Sequence, residues 1–490
     1  MTSLETAPSK TGLRRIAIDP VTRVEGHGKV TILLDAENRV HQVRLHIVEF
    51  RGFEAFVEGR PYWEVPVMVQ RLCGICPVSH HLAAVKAMDR IAGYGALTPT
   101  AEKLRRLMHY GQIAQSHAVH FFHLASPDLL LGFDCEATRR NIVGVVAAAP
   151  DIALKGVKLR KFGQEVIRHT AGKRIHGTGA IPGGVNKALT PEERDELRRD
   201  LDEHVGWAVE AVALIRRLAG AAPDFYAGFG SAPSHTMSLV APDGAMDLYD
   251  GGLRARDLNG AILFDHVDPA AYHERIVEIV KPWSYMKFPH IAALGAEDGW
   301  YKVGPLARLQ TVDRMPSPLA EAERQVFLAA GGGRPIAGAL MTHWARLIEL
   351  LHALEVIRDL LDDPEITGTD LMAERGARAG EAVGIIEAPR GTLIHHYRVG
   401  DDDLVSWCNL IVSTTHNNQA MNEAIRAVAR DHLDGRVVTE PLLNHVEVAI
   451  RAYDPCLSCA THALGRMPLI VDLVDADGVT ISRAVRNADP

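Results

Sequence analysis

Two short stretches near opposite ends of the chain decide its reading: Arg71-Leu-Cys73-Gly-Ile-Cys76-Pro-Val-Ser-His80-His81 and Asp454-Pro-Cys456-Leu-Ser-Cys459-Ala-Thr-His462. Each is a Cys-x-x-Cys pair with a histidine shortly after it, and four thiolates suit a soft metal. Spacing alone leaves three readings open: a four-cysteine structural zinc site, a redox-active metal, and thioredoxin-like dithiol chemistry. Zinc ribbons keep their two pairs within a few tens of residues, because there the metal substitutes for a core. Here most of a 490-residue chain lies between the pairs. Both pairs fall at the edges of expected helices, and a helix N-terminus favours anionic ligands such as thiolates. His80 and His462 are placed to donate to a thiolate or to ligate another ion. A single histidine in such a place is more often packing; two in matched places carry more weight.

Outward from these pairs, the chain reads as a mostly helical α+β protein. Residues 15–50 alternate apolar and polar positions in short runs, as in Lys29-Val-Thr-Ile-Leu-Leu and Val40-His-Gln-Val-Arg-Leu-His-Ile-Val, which predicts a small antiparallel sheet within a β-rich part over 15–70. Residues 71–380 carry helical spacing. Thr190-Pro191-Glu192-Glu193 is a capping box opening a helix to about Gly220. Thr342 to Leu361 is a long amphipathic helix stopped near Pro364. Residues 381–462 mix strands with two further helices, and Leu469–Val474 with Val479–Ser482 predicts a hairpin. Residues 1–14 read as a disordered lead without the apolar core of a secretory signal. No run of about 18 apolar residues predicts a membrane span. With a net charge of −8 there is no electrostatic reason to expect nucleic acid. Six cysteines are too few for a disulfide scaffold, whereas 24 histidines make metal or proton handling worth testing.

Arg-x-Cys-Gly-x-Cys-x-x-x-His with a late Asp-Pro-Cys-x-x-Cys-x-x-His resembles the large subunit of nickel–iron hydrogenases. The resemblance runs through Asp19-Pro-Val-Thr-Arg-Val-Glu25-Gly-His27-Gly, Arg51-Gly-Phe-Glu54, Ile181-Pro-Gly-Gly-Val and Glu387-Ala-Pro389-Arg390-Gly, in the family's order. Val48-Glu-Phe-Arg-Gly-Phe-Glu and Trp283-Ser-Tyr-Met-Lys-Phe-Pro are similar to the NAD-reducing cytoplasmic branch. The implied fold is the hydrogenase large-subunit fold: an N-terminal sheet region, a central helical bundle and a late β region. The implied activity is reversible heterolytic oxidation of H2 to protons and electrons. Branches coupled to NADP, deazaflavin or heterodisulfide chemistry share some of these phrases.

The resemblance implies roles residue by residue. Cys73 and Cys456 would bind nickel terminally, and Cys76 and Cys459 would bridge nickel and iron, the iron carrying cyanide and carbon monoxide. The Cys456 sulfur or the Arg390 guanidine would take the first proton, and Glu25 would relay it. On its own Glu25 reads as a turn carboxylate paired with Arg23, and Arg390 as a surface ion pair. Asp128 would anchor Arg390. Thr414, with Ser413 as the neighbouring candidate, would hydrogen-bond an iron cyanide; Pro389 and His80 would border the metals, and Ile75 would restrict gas access or simply pack. Glu54 and His462 would hold Mg2+ with a backbone carbonyl from the 407–410 strand. Maturation would cut after His462, leaving Ala463 as the first residue of a released extension, 463–490. Partners implied are an iron–sulfur small subunit, flavin- and NAD-binding diaphorase subunits, maturation factors and an endopeptidase, all in the cytoplasm.

No Gly-x-Gly-x-x-Gly follows a strand and there is no P-loop, so NAD and FMN sites are not expected here. Cys135 and Cys408 are isolated, so no iron–sulfur cluster is expected either. Competing readings are a quinone-site relative that keeps the fold without the metals, a zinc-stabilised non-catalytic scaffold, and a hydrogen sensor, a branch that generally lacks the extension.

Overall fold

The computed structural model describes residues 13–49, 51–461, 469–475 and 480–486. The expected cut site, His462 and Ala463, and most of the expected lead lie outside these residues; Arg14 already belongs to a strand.

Four long helices form the centre: Pro99–Val119, Pro150–Ala171, Leu201–Ala221 and Met341–Asp362. Met341–Asp362 stands where a helix was expected but is buried on nearly every side, so it is a central helix of the core and not an amphipathic surface one. Arg346, Glu349, His352 and Glu355 on it are all buried, so the bundle core carries polar groups that must pair internally. Pro99–Val119 runs on into a π-helical turn, His120–Ala125, before the short helix Ser126–Leu131.

An antiparallel sheet of Arg14–Ile18, Gly28–Leu34 and Val40–Ile47 lies at the N-terminal end, its last strand against the helix Asn418–His432. A second antiparallel sheet, Glu381–Ala388, Gly391–Val399 and Val405–Ile411, packs on the helix Pro77–Ala92. The metal-site segments come together between these layers. The fold is α+β and mainly helical.

Several features depart from the expected pattern. Residues 51–70, expected in the β-rich part, carry short helices, Phe53–Val57 and Val65–Met68. The stretch 71–380 is not purely helical: His235–Val240, Gly252–Arg256 and Ile262–Val267 form a sheet with the short strand Tyr301–Lys302. His235–Val240 is buried at every position, so the period-two alternation that reveals a half-buried strand is missing. The helix expected from Thr190 to Gly220 is two helices, Pro191–Arg199 and Leu201–Ala221, broken at Asp200. The Thr190–Glu193 capping box does open the first. At the tail, Leu469–Val474 pairs antiparallel with Thr480–Arg486.

Candidate metal centre

Cys73 follows the short helical turn Val69–Leu72 in extended backbone (φ −143°, ψ 135°), and Cys76 is the N-cap of Pro77–Ala92, where Pro77 supplies a first-turn residue that needs no N–H partner. The backbone N–H groups of Ile75 and Cys76 donate to the Cys73 sulfur at 3.3 and 3.0 Å. From the other end of the chain, the helix Glu440–Ala452 stops, Asp454 turns through a left-handed conformation (φ 53°), and Cys456 lies alongside Glu25 in a parallel bridge. The Cys456 N–H donates to Thr414 Oγ1 at 2.9 Å. The four Sγ atoms of Cys73, Cys76, Cys456 and Cys459 all lie within 4.8 Å of one another, and all four residues are buried. With metal–sulfur bonds of about 2.3 Å, that is the span of one metal site.

Charge argues for what such a set holds. Burial pushes the Cys73 thiol up, but hydrogen bonds from Cys456, Cys459 and Cys76 and the Arg390 charge outweigh it and hold Cys73 well below the usual thiol range. Burial pushes Cys456 and Cys459 well above it. Four thiolates this close and this dry coexist only beside strong positive charge, which metal ions supply. A structural zinc would satisfy the sulfurs alone. Here a small cavity adjoins Cys76 and Cys456, walled by Ser79, His80, Pro389, Arg390, Ser413 and Thr414. It offers hydroxyl, imidazole and guanidinium groups beside the metal position, which suits a metal that carries small additional ligands.

Glu25 sits at this cluster. The Cys456 thiol donates to Glu25 Oε2 at 3.0 Å, the Ser458 N–H donates to the same oxygen at 3.2 Å, and the Ser458 hydroxyl donates to Oε1. Burial, with the Cys73 charge adding to it, raises the Glu25 carboxyl above its ordinary range. Glu25 is not paired with Arg23, which donates to Asp128 and to Leu124 O. Gly26, next in sequence, has φ +82°, and a Cβ there would stand 2.6 Å from Ser458 N. The close approach of the two chain segments therefore requires glycine.

Arg390 is buried, not a surface ion pair. Its Nε donates to Asp454 O at 2.5 Å, its Nη2 to Asp454 Oδ1 at 3.0 Å, and its Nη1 to Ser116 Oγ at 3.4 Å. This corrects the expected anchor: the carboxylate holding Arg390 is Asp454, and Asp128 binds Arg23 and Arg451 instead. The reason is local. Asp454 stands two residues from Cys456, and its left-handed turn aims both its carbonyl and its carboxylate at the guanidinium. Beyond Arg390, Arg308 donates to Glu349, Glu387 and the carbonyls of Ala388 and Pro389, fixing the segment that carries Arg390.

Of the other expected residues, Ser413 Oγ donates to Gly391 O at 2.7 Å, and His80 Nδ1 lies 3.1 Å from His395 Nε2. Ile75 packs beside the cysteines, and its carbonyl accepts from Gln112 and Gln115. Glu54 stands outside the sulfur cluster, its Oε1 accepting the Leu410 N–H at 2.9 Å, with Lys287 Nζ 3.8 Å away. Its expected co-ligand, His462, lies outside the described residues. Asp454, Ser116 and Arg308 were not singled out from the sequence. Asp454 was on view in the Asp-Pro-Cys phrase; Ser116 and Arg308 carry no local signal. Among the described residues, no helix is long and apolar enough to cross a membrane.

The fold and the four-sulfur cluster together define a metal-dependent oxidoreductase, and comparison gives its class: the chain belongs to the nickel-dependent hydrogenase family, which matches residues 51–134 and 268–462, with a HoxL-like match over 15–50. Within the family it is similar to the NAD-reducing hydrogenase HoxS subunit beta of Cupriavidus necator, 46% identical over 489 residues, 96% of this chain and 100% of that one. It is 42% identical to a vhc subunit of the F420-non-reducing hydrogenase of Methanococcus voltae, covering 94% of this chain and 98% of that one. A crystal structure of an NAD+-reducing [NiFe]-hydrogenase in its H2-reduced state superposes with a TM-score of 0.91 at 59% identity, over 92% of this chain and 100% of the other. The protein is a hydrogenase oxidoreductase close to the NAD-linked form.

Proposed function

We propose that this chain is the catalytic subunit of a cytoplasmic hydrogenase that oxidises H2 reversibly and delivers the electrons to NAD+. Four cysteine sulfurs converging beside a small cavity, with a carboxylate on one of them, are the observation that carries the reading. Cys73, Cys76, Cys456 and Cys459 would together hold the nickel–iron pair through their sulfurs. When bound, the Ni–Fe pair with its cyanide and carbon monoxide ligands supplies the position where H2 is polarised and its two electrons are stored.

The chain's own groups handle the protons. The Cys456 sulfur takes the first proton and passes it to Glu25 Oε2, 3.0 Å away. Burial raises the Glu25 carboxyl, which suits it to hold a proton and release it. Asp454 and the surrounding sulfur charges outweigh burial and hold Arg390 firmly protonated, so Arg390 acts as a fixed positive charge rather than as a base. Thr414, whose hydroxyl oxygen accepts the Cys456 N–H, would donate its own hydrogen to an iron-bound cyanide, whereas the neighbouring candidate Ser413 already donates to Gly391 O; Pro389 and His80 complete the cavity wall. Glu54 and His462 would hold Mg2+, and an endopeptidase would remove residues 463–490 after nickel insertion by the maturation factors.

Electrons leave through an iron–sulfur small subunit to a diaphorase binding flavin and NAD(H). This step is supported by the similarity to the NAD+-reducing crystal structure and to the beta subunit of HoxS. The second reading is a hydrogenase of another cytoplasmic branch, coupled to NADP, deazaflavin or heterodisulfide chemistry; the 42% identity to a hydrogenase outside the NAD-reducing branch keeps it in view. H2-dependent NAD+ reduction by the natively purified complex separates the two: reduction supports the NAD reading, and H2-dependent dye reduction without NAD+ reduction supports the other.

A further inference from the structure

We propose that Asp128 is a positioning residue for Glu25, acting at a distance through Arg23, Arg451 and Thr22. The proposal rests on Glu25 being the proton relay described above. Asp128 lies on Ser126–Leu131, just after the π-helical turn, and is 2% exposed. Its Oδ1 accepts from Arg23 Nη2 at 2.6 Å and from Asn444 Nδ2 at 3.3 Å, and its Oδ2 accepts from Arg451 Nη1 at 3.1 Å. Arg451 in turn donates to the Thr22 carbonyl at 2.9 Å and to Thr22 Oγ1 at 2.8 Å. Glu447 Oε1 accepts the Thr22 N–H and hydroxyl at 2.6 and 2.8 Å. The two residues before Val24 and Glu25 are thus held at backbone and side chain by one buried ionic hub whose centre is Asp128.

The hold has something to oppose. Arg23 has φ +55°, a region that non-glycine residues keep only when their surroundings over-determine it. Gly26 on the far side of Glu25 is also left-handed. Glu25 therefore stands in a short segment bent at both ends. Its register against Cys456 depends on the clamp at Arg23 and Thr22 on one side and on the Leu457 N–H bonded to its carbonyl at 2.9 Å on the other. Loosening the Arg23 side lets the carboxylate drift from the sulfur, and a misplacement of about 1 Å costs a reacting geometry about 10²-fold.

The test compares Asp128→Asn, Glu25→Gln and the double variant in the native complex, reading nickel content and the rate of exchange between H2 and D2O. Expected is exchange slowed about tenfold or more in Asp128→Asn with nickel retained, and a double variant no slower than Glu25→Gln alone, because both changes act on one step. A merely structural role would give losses that multiply, and that result, or parental exchange in Asp128→Asn, overturns the proposal. Parental exchange in Glu25→Gln would instead overturn the relay on which it rests. Should Asp128→Asn fail to assemble, Arg23→Met removes the same clamp from a partly exposed position and is held to the same non-additivity with Glu25→Gln.

Discussion

The sulfur of Cys456 lies 3.0 Å from Oε2 of Glu25, although 431 positions separate the two residues. The carboxylate reaches the thiol without a bridging group and is itself held by Ser458. Glu25→Gln keeps the size and the hydrogen-bonding shape but cannot accept a proton. Exchange between H2 and D2O should fall by about 10²–10⁴-fold while nickel and iron stay bound. Exchange at the parental rate would remove Glu25 from the route.

Cys456→Ser replaces a soft sulfur donor by a hydroxyl that is a poor ligand for nickel. Elemental analysis of the purified variant should show nickel lost, with H2-dependent dye reduction abolished. An unaltered nickel content would overturn the assignment of Cys456 as a ligand.

Arg308 pairs with both buried carboxylates, Glu349 and Glu387, and it also holds the carbonyls that precede Arg390. Arg308→Met leaves two carboxylates in the core without their counter-charge. The cost expected from such a break is about 3–5 kcal/mol, read as a lower denaturant midpoint. A midpoint unchanged from the parent would mean that the network is not what holds this part of the core.

Burial lowers His109 to about 3, and His117 and His352 to about 4, below the ordinary 6.5. These groups are neutral in the folded chain and protonate on unfolding below pH 6.5, so the unfolded state binds more protons there. Their contribution to stability is complete above pH 6.5 and is lost as pH falls toward 4, at about 1.4 kcal/mol per pH unit for each histidine within that window. Denaturant midpoints should therefore hold steady from pH 8 to 7 and drop steeply from pH 6.5 to 4.5. A flat profile across the lower range would show that these histidines are solvated.

Much of this arrangement can be read from local sequence. The cysteine pairs, the Thr190 capping box and the helix Met341–Asp362 each carry a pattern within a few residues, and each stands where that pattern points. The strand His235–Val240 escaped because full burial erases alternation. The pairing of Asp128 with Arg390 came from the family resemblance alone, with no local pattern behind it. Which cation it meets depends on how the helix carrying Arg451 crosses the Val21–Glu25 segment, and no short pattern encodes that crossing. Ser116 and Arg308 were invisible for the same reason: their importance comes only from what tertiary packing sets beside them.

The central claim is that sulfurs from the two ends of the chain surround one nickel and one iron. Elemental analysis of the natively purified complex tests this most directly. The account predicts nickel and iron in equal amounts at this subunit once the partner's cluster iron is subtracted; zinc in place of nickel would contradict it.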